Sequence, residues 1–139
     1  MPKVNQLTVP CTNRPGTLAH IANVMGNAGV NILGFLLTTS GSKGRIKLVV
    51  DDAEKAKEAI ENADLTYAEE AVLHARLPNV PGALGRLAAK LAAKQINVTS
   101  AYQTIEKDSK KASVVLEVSH LDRALHVHRS TPSERSYED

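Results

Sequence analysis

Aromatic side chains are scarce in this chain of 139 residues: three Tyr, one Phe and no Trp. A surface that stacks bases or sugars needs several of them, so that class of binding is disfavoured. Neither sign of charge is in excess, with 17 Lys and Arg against 15 Asp and Glu. Phosphate backbones are bound by a concentrated basic field, so nucleic acid is not the expected partner. One cysteine, Cys11, leaves no internal disulfide and no multi-cysteine metal site. A reducing, cytoplasmic compartment is expected. No apolar run approaches the roughly 20 residues that span a bilayer, and the opening MPKVNQLTVP lacks the apolar stretch of a secretory signal. The triplet Asn97-Val98-Thr99 fits a glycosylation sequon by chance.

What the chain does contain is a repeat. Asn13-Arg14-Pro15-Gly16-Thr17-Leu18 recurs as Asn79-Val80-Pro81-Gly82-Ala83-Leu84, at an offset of 66. The match runs on without a gap. Ile21 meets Leu87, Met25 meets Leu91, Val30 meets Ile96, Asn31 meets Asn97 and Ile32 meets Val98. Apolar positions fall on apolar positions, so the chain holds two copies of one unit of roughly 65–70 residues. Units that small are expected to stabilise one another by packing.

Each copy has the same order of patterns. Leu7, Val9 and Cys11 alternate with Thr8 and Thr12; Leu73, Ala75 and Leu77 alternate with His74 and Arg76. A period of two predicts a half-buried strand. Pro-Gly follows, and proline suits a first helical position. The next stretch places Leu18, Ile21, Ala22 and Met25, or Leu84, Leu87, Ala88 and Leu91, at helical spacing on a core-facing stripe. Gly29 suits the helix C-terminus, its counterpart Gln95 less so. Strands are expected at Asn31–Thr39 and Asn97–Ile105. Polar turns follow at Ser40–Gly44 and Lys107–Lys111. Third strands carry Ile46, Leu48 and Val50, and Val114, Leu116 and Val118. A second helix begins at Asp51 or Asp52. Its counterpart begins at Ser119-His120-Leu121-Asp122, which has capping-box spacing. The first copy adds a fourth apolar run at Leu65–Ala68.

The order is β-α-β-β-α-β. It predicts an α+β fold: two ferredoxin-like modules, each an antiparallel sheet with helices on one face. The modules are expected at residues 1–70 and 71–129. The tail at 130–139 is rich in Ser, Glu, Arg and Pro and is expected to be disordered. That leaves the second module without a clear last strand. Either one long segment from Leu65 to Leu77 serves both copies, or another chain fills the gap.

Strand, Asn-x-Pro-Gly-x-Leu, amphipathic helix and an Asn-Ile/Val strand start together resemble the ACT domain, a small regulatory module that binds amino acids in many metabolic enzymes. The resemblance runs through Asn13–Ile32 and Leu77–Val98, and in coarse order over about nine-tenths of the chain. The whole looks like stand-alone tandem ACT proteins, which carry no catalytic domain. It implies a ligand at an interface between modules, held by Asn13, Arg14, Pro15, Gly16, Thr17 and Leu18 with Asn31, Ile32 and Leu33. In the second copy the same positions are Asn79, Val80, Pro81, Gly82, Ala83 and Leu84 with Asn97, Val98 and Thr99.

Physical chemistry supports those positions. A helix N-terminus offers unpaired N–H donors to a carboxylate. Glycine there lets a ligand or a backbone approach. Asparagine both donates and accepts, as a zwitterion requires. Arg14 can clamp a carboxylate and Val80 cannot, so the first copy is favoured if only one binds. Plainer roles are open to the same residues: Pro-Gly pairs start helices, Asn31 and Asn97 satisfy turn backbone, and Arg14 can be a solvated charge.

Other signals carry little. Cys11 has no base near it in sequence, and a buried, inert thiol is expected. His126-Val127-His128 lacks a ligand pattern for metal. Gly41-Ser42-Lys43-Gly44 lacks phosphate-loop spacing. An RNA-binding version of this fold needs strand aromatics where Leu48, Val50, Val114 and Leu116 stand, and a metal chaperone needs two cysteines. The expectation is therefore a non-enzyme with no cofactor or metal. It would bind a small amino acid, an apolar one included, and act as a homodimer with a metabolic enzyme as possible partner. The alternative is a docking subunit with no ligand of its own.

Overall fold

The structure, a computed structural model, describes residues 3–105 and 110–128. The expected disordered tail at 130–139 and residues 107–109 of the second polar turn lie outside the described residues.

The first compact unit runs from Asn5 to Glu70. It contains most of β1 (Lys3–Thr12), then α1 (Thr17–Asn27), β2 (Ile32–Ser40), β3 (Lys43–Val50) and α2 (Ala53–Asn62). β3 lies antiparallel between β1 and β2. Leu7 stands opposite Leu48 and Val9 opposite Ile46; Leu37 also stands opposite Ile46. Direct cross-strand neighbours share a face. Leu7, Val9, Ile46 and Leu48 thus form one apolar face, and Ile21 and Met25 of α1 and Ala56 and Ile60 of α2 close over it. The Asp52 side chain caps α2 by accepting from the Lys55 N–H at 3.1 Å, as the Asp pair predicts.

The second unit holds β4 (Ala68–Pro78) from Ala71 on, α3 (Ala83–Ala93), β5 (Val98–Ile105), β6 (Lys111–Val118) and α4 (Leu121–His128). β6 lies antiparallel to both β4 and β5, with Leu73 opposite Leu116 and Ala75 opposite Val114. Ala83, Leu87 and Leu91 of α3 and Ala124 and Val127 of α4 cover that face.

β1 and β4 each cross the boundary between the two units. Ala68–Glu70, the start of β4, belong to the first unit; Lys3 and Val4, the start of β1, belong to the second. Among the described residues the second copy has no last strand of its own after α4.

Each α1-type helix ends alike. Gly29 (φ 75°) and Gln95 (φ 57°) both adopt the left-handed conformation. The Val30 N–H then donates to Met25 O at 3.0 Å, and the Ile96 N–H to Leu91 O at 2.9 Å. These are Schellman closures. Glutamine takes the glycine position because the following Ile96 is buried and holds the turn.

Four local expectations need correction. Leu18 is 41% exposed and Leu84 49%, and Ala88 is exposed too. The buried rows are Ile21 and Met25, and Ala83, Leu87 and Leu91, spaced by four. A stripe at i, i+3, i+4 contains more apolar residues than the sheet contact covers. Leu65 and Tyr67 pack against the first core without joining a strand, and β4 starts at Ala68. Ser119 forms no capping box: its Oγ accepts from the Asn97 N–H at 2.9 Å, and α4 starts at Leu121. Cys11, at the end of β1, is partly exposed rather than buried.

Candidate functional site in the loop between β1 and α1

The loop leaving β1 is pinned at its start. The Asn13 N–H donates to Ser42 O at 3.0 Å and its Nδ2 donates to Gly41 O at 2.9 Å. These bonds tie the loop to the β2–β3 turn and use the side chain that was expected to meet a ligand. The Arg14 N–H turns back to Thr12 O at 3.2 Å, and Thr17 N–H to Arg14 O at 3.3 Å. Gly16 then stands at the N-cap of α1 with φ 90°. A side chain is strained at that angle, which is why glycine is here. No side chain caps the helix, and the first intrahelical bond runs from His20 N–H to Gly16 O at 2.9 Å. Apart from the Thr17 N–H, the donors of the first turn receive no side-chain cap.

A cleft of about 780 Å³ opens at this turn. Arg14, Pro15, Gly16 and Thr17 line it, together with Pro10, Cys11, Thr12, His20, Ile21, Lys43 and Leu65. The last seven are not among the residues expected to hold a ligand. Two signals point to some of them: His20 lies one helical turn after Gly16, and Lys43 pairs with Thr12 across β1 and β3. Burial pushes the Cys11 thiol up from its ordinary value, so it stays protonated and is a weak nucleophile. Among the described residues no group of His, Cys, Asp and Glu could hold a metal.

The remaining expected site residues of the first copy lie outside the cleft lining. Leu18 and Leu33 point outward, Leu33 being 53% exposed. Ile32 packs on the core. The Asn31 backbone is tied to Asp51, its N–H donating to Oδ1 at 2.9 Å and its carbonyl accepting from the Asp51 N–H at 3.1 Å.

The second copy repeats the backbone and changes the side chains. Gly82 has φ 88°, and α3 too lacks a side-chain cap. The Asn79 N–H donates to Lys110 O at 2.8 Å, as Asn13 does in the first copy. The Arg86 guanidinium, however, lies so near Gly82 that a β-carbon there would stand 2.9 Å from it. Val80 and Leu84 are exposed, as are Pro81 and Gly82, and Ala83 is buried in the core. Asn97 is tied by backbone to Ser119, Val98 packs on the core, and Thr99 Oγ1 donates to Glu117 O at 3.3 Å.

A family comparison decides what these two loops belong to. The family model described as ACT domain matches residues 6–63 and again 71–127. The chain belongs to the ACT domain family. No curated protein matches the sequence. Among solved structures, protein BT0572 from Bacteroides thetaiotaomicron is similar with a TM-score of 0.85 and 23% identity, covering 92% of this chain and 88% of that one. The regulatory subunit of aspartate kinase from Thermus thermophilus follows with a TM-score of 0.66 and 15% identity, over 94% and 97% of the two chains. The same subunit from Thermus flavus gives 0.61 and 14%, over 94% and 92%. At these identities the likeness shows the fold. The cleft thus lies at the first strand–helix loop of the first ACT module. No described helix is long and apolar enough to cross a membrane.

Proposed function

We propose that the chain is a non-catalytic regulatory protein that binds a small amino acid at the first ACT module's cleft and transmits the bound state to a partner or to its own assembly. One observation carries this reading: the cleft sits at an uncapped helix N-terminus, beside Arg14 and below a glycine held at φ 90°. Open N–H donors and a guanidinium suit a carboxylate, and the thiol and hydroxyls around them suit no reaction of their own. Two structures of similar fold are regulatory subunits of aspartate kinase, which favours by analogy a metabolic enzyme as partner. We further propose a cytoplasmic homodimer. β2 ends the strand order of its module, and its Leu33 and Phe35 are about half exposed. A second copy seated there would cover the edge.

A thermal-shift panel of the twenty amino acids tests the reading. A ligand at about 100 times its Kd adds about 2.7 kcal/mol of stability. Silence across the panel at millimolar concentration favours the second reading, a docking subunit without a ligand. The exposed Leu18, Leu33, Phe35, Val80 and Leu84 are what that reading rests on. Light scattering at tens of micromolar tests the dimer, and a monomer mass counts against it.

A further inference from the structure

The cleft has a charge that its module lacks. Between Asn5 and Glu70 the chain has six Lys and Arg against eight Asp and Glu, so the unit is net acidic. All eight carboxylates lie at Asp51 or beyond. None lines the cleft, whereas Arg14, His20 and Lys43 all do. These three come from separate elements: the loop, α1 and the start of β3. Among the described residues none of their side chains has an ion pair or a hydrogen bond. A second cleft of about 440 Å³ shares Pro10, Cys11 and Lys43 with the first and adds Arg45, again with no carboxylate.

Two cations from separate elements, Arg14 and Lys43, sharing one concave surface with the His20 imidazole in a unit of the opposite net charge, make a local positive field. A neutral zwitterion needs one cation for its carboxylate and an acceptor for its ammonium. This lining supplies two cations, and as side-chain acceptors the hydroxyls of Thr12 and Thr17, the Cys11 sulfur and one ring nitrogen of a neutral His20. The second copy breaks the pattern, with Val80 in place of Arg14.

We infer that the first module's cleft takes a ligand with two carboxylates, one held by Arg14 and the other by Lys43 and His20. The inference rests on the regulatory reading above for its choice within that class, the acidic amino acids L-aspartate and L-glutamate. An apolar amino acid would leave one of the two cations unanswered.

The test is calorimetric titration of the full chain with aspartate and glutamate, their amides asparagine and glutamine, valine, threonine and lysine, and the amine-free acids succinate and glutarate. Binding of an acidic amino acid at least about tenfold tighter than its amide is expected, a gap of about 1.4 kcal/mol. It should weaken as salt rises from 50 to 300 mM, because exposed charges are screened. Arg14→Gln and Lys43→Gln should each bring the acid down to the level of its amide while the melting temperature without ligand stays put. Valine, threonine, lysine or an amide binding as tightly as the acids overturns the inference and leaves the amino-acid reading standing. Succinate or glutarate binding where no amino acid does overturns the amino-acid reading and upholds the dicarboxylate. No binding by any of the nine overturns the inference, and silence across the twenty-amino-acid panel as well overturns the amino-acid reading.

Discussion

Gly16 and Gly82, 66 residues apart, hold the same left-handed backbone at the heads of α1 and α3, with φ 90° and 88°, yet only Gly82 has a side chain folded over it. A β-carbon at Gly16 would meet nothing within 4 Å; at Gly82 it would meet the Arg86 guanidinium. One backbone device is thus presented open in the first module and covered in the second. The difference follows from His20 standing where the second copy has Arg86, and Arg14 where it has Val80.

Gln95→Gly is expected to stabilise the protein by about 1 kcal/mol. A non-glycine residue in the left-handed region costs about 1–2 kcal/mol, and glycine's greater freedom when unfolded takes part of the gain back. Urea melts of the two proteins measure the difference. Gly29→Gln, the reverse change at the matching position, should cost a similar amount.

Asp52→Ala should cost about 1 kcal/mol, because the carboxylate accepts from the Lys55 N–H in the first turn of α2. Asp51→Ala removes a different bond, the one holding the Asn31 N–H at the start of β2. Hydrogen exchange separates the two: the first variant loosens α2, the second the entry to β2.

Stability should fall on the acid side through His74. Burial lowers its pKa from 6.5, and the neighbouring Arg76 adds to the effect. The unfolded chain therefore binds the proton more readily than the folded one. Linkage then makes stability rise with pH in the window just below about 6.5, level off above it, and reach its lower plateau below the folded pKa. Denaturant melts between pH 5 and pH 8 should show this slope, and His74→Gln should flatten it.

Deleting residues 1–4 should destabilise the second module more than the first. Lys3 and Val4 belong to that unit, and among the described residues it has no strand after α4 to replace them. Hydrogen exchange should report faster opening in β4 and α4 than in β2 and β3. Equal loosening of all four would contradict the shared-strand arrangement.

Most of the fold is legible in the sequence because its signals are local and occur twice. The alternation of Leu7 and Val9, and of Leu73, Ala75 and Leu77, marks strands whose one face is buried. The Pro-Gly turns locate both first helices, and Asp52 locates α2. What stayed hidden depends on distant chain. Nothing within Lys3-Val4 says that it serves the second unit, since strand exchange is set by pairing and not by composition. Leu18 and Leu84 look like core by period alone; only the position of the sheet under each helix shows that the row one step along is the buried one.

The site is legible in part, and for the same reason. Arg14, Pro15, Gly16 and Thr17 are contiguous, so the motif carries them directly. His20, Lys43 and Leu65 enter the cleft from α1, the β2–β3 hairpin and the segment after α2, and only the tertiary fold brings them together. Asn13 and Asn31 are near the site for a structural reason: the Asn13 side chain holds Gly41 O, and the Asn31 backbone is held by Asp51.

A ligand site in the first module alone is tested most directly by a matched pair of variants. Gly16→Val and Gly82→Val place the same side chain on the same strained backbone, and at Gly82 the Arg86 guanidinium must also give way, so Gly82→Val should lose at least as much stability as Gly16→Val. Calorimetric titration with whichever amino acid shifts the melting temperature should give one ligand per chain in the unaltered protein. The same stoichiometry should persist in Gly82→Val, with no binding in Gly16→Val. Two ligands per chain, or binding that survives Gly16→Val and disappears in Gly82→Val, would contradict it.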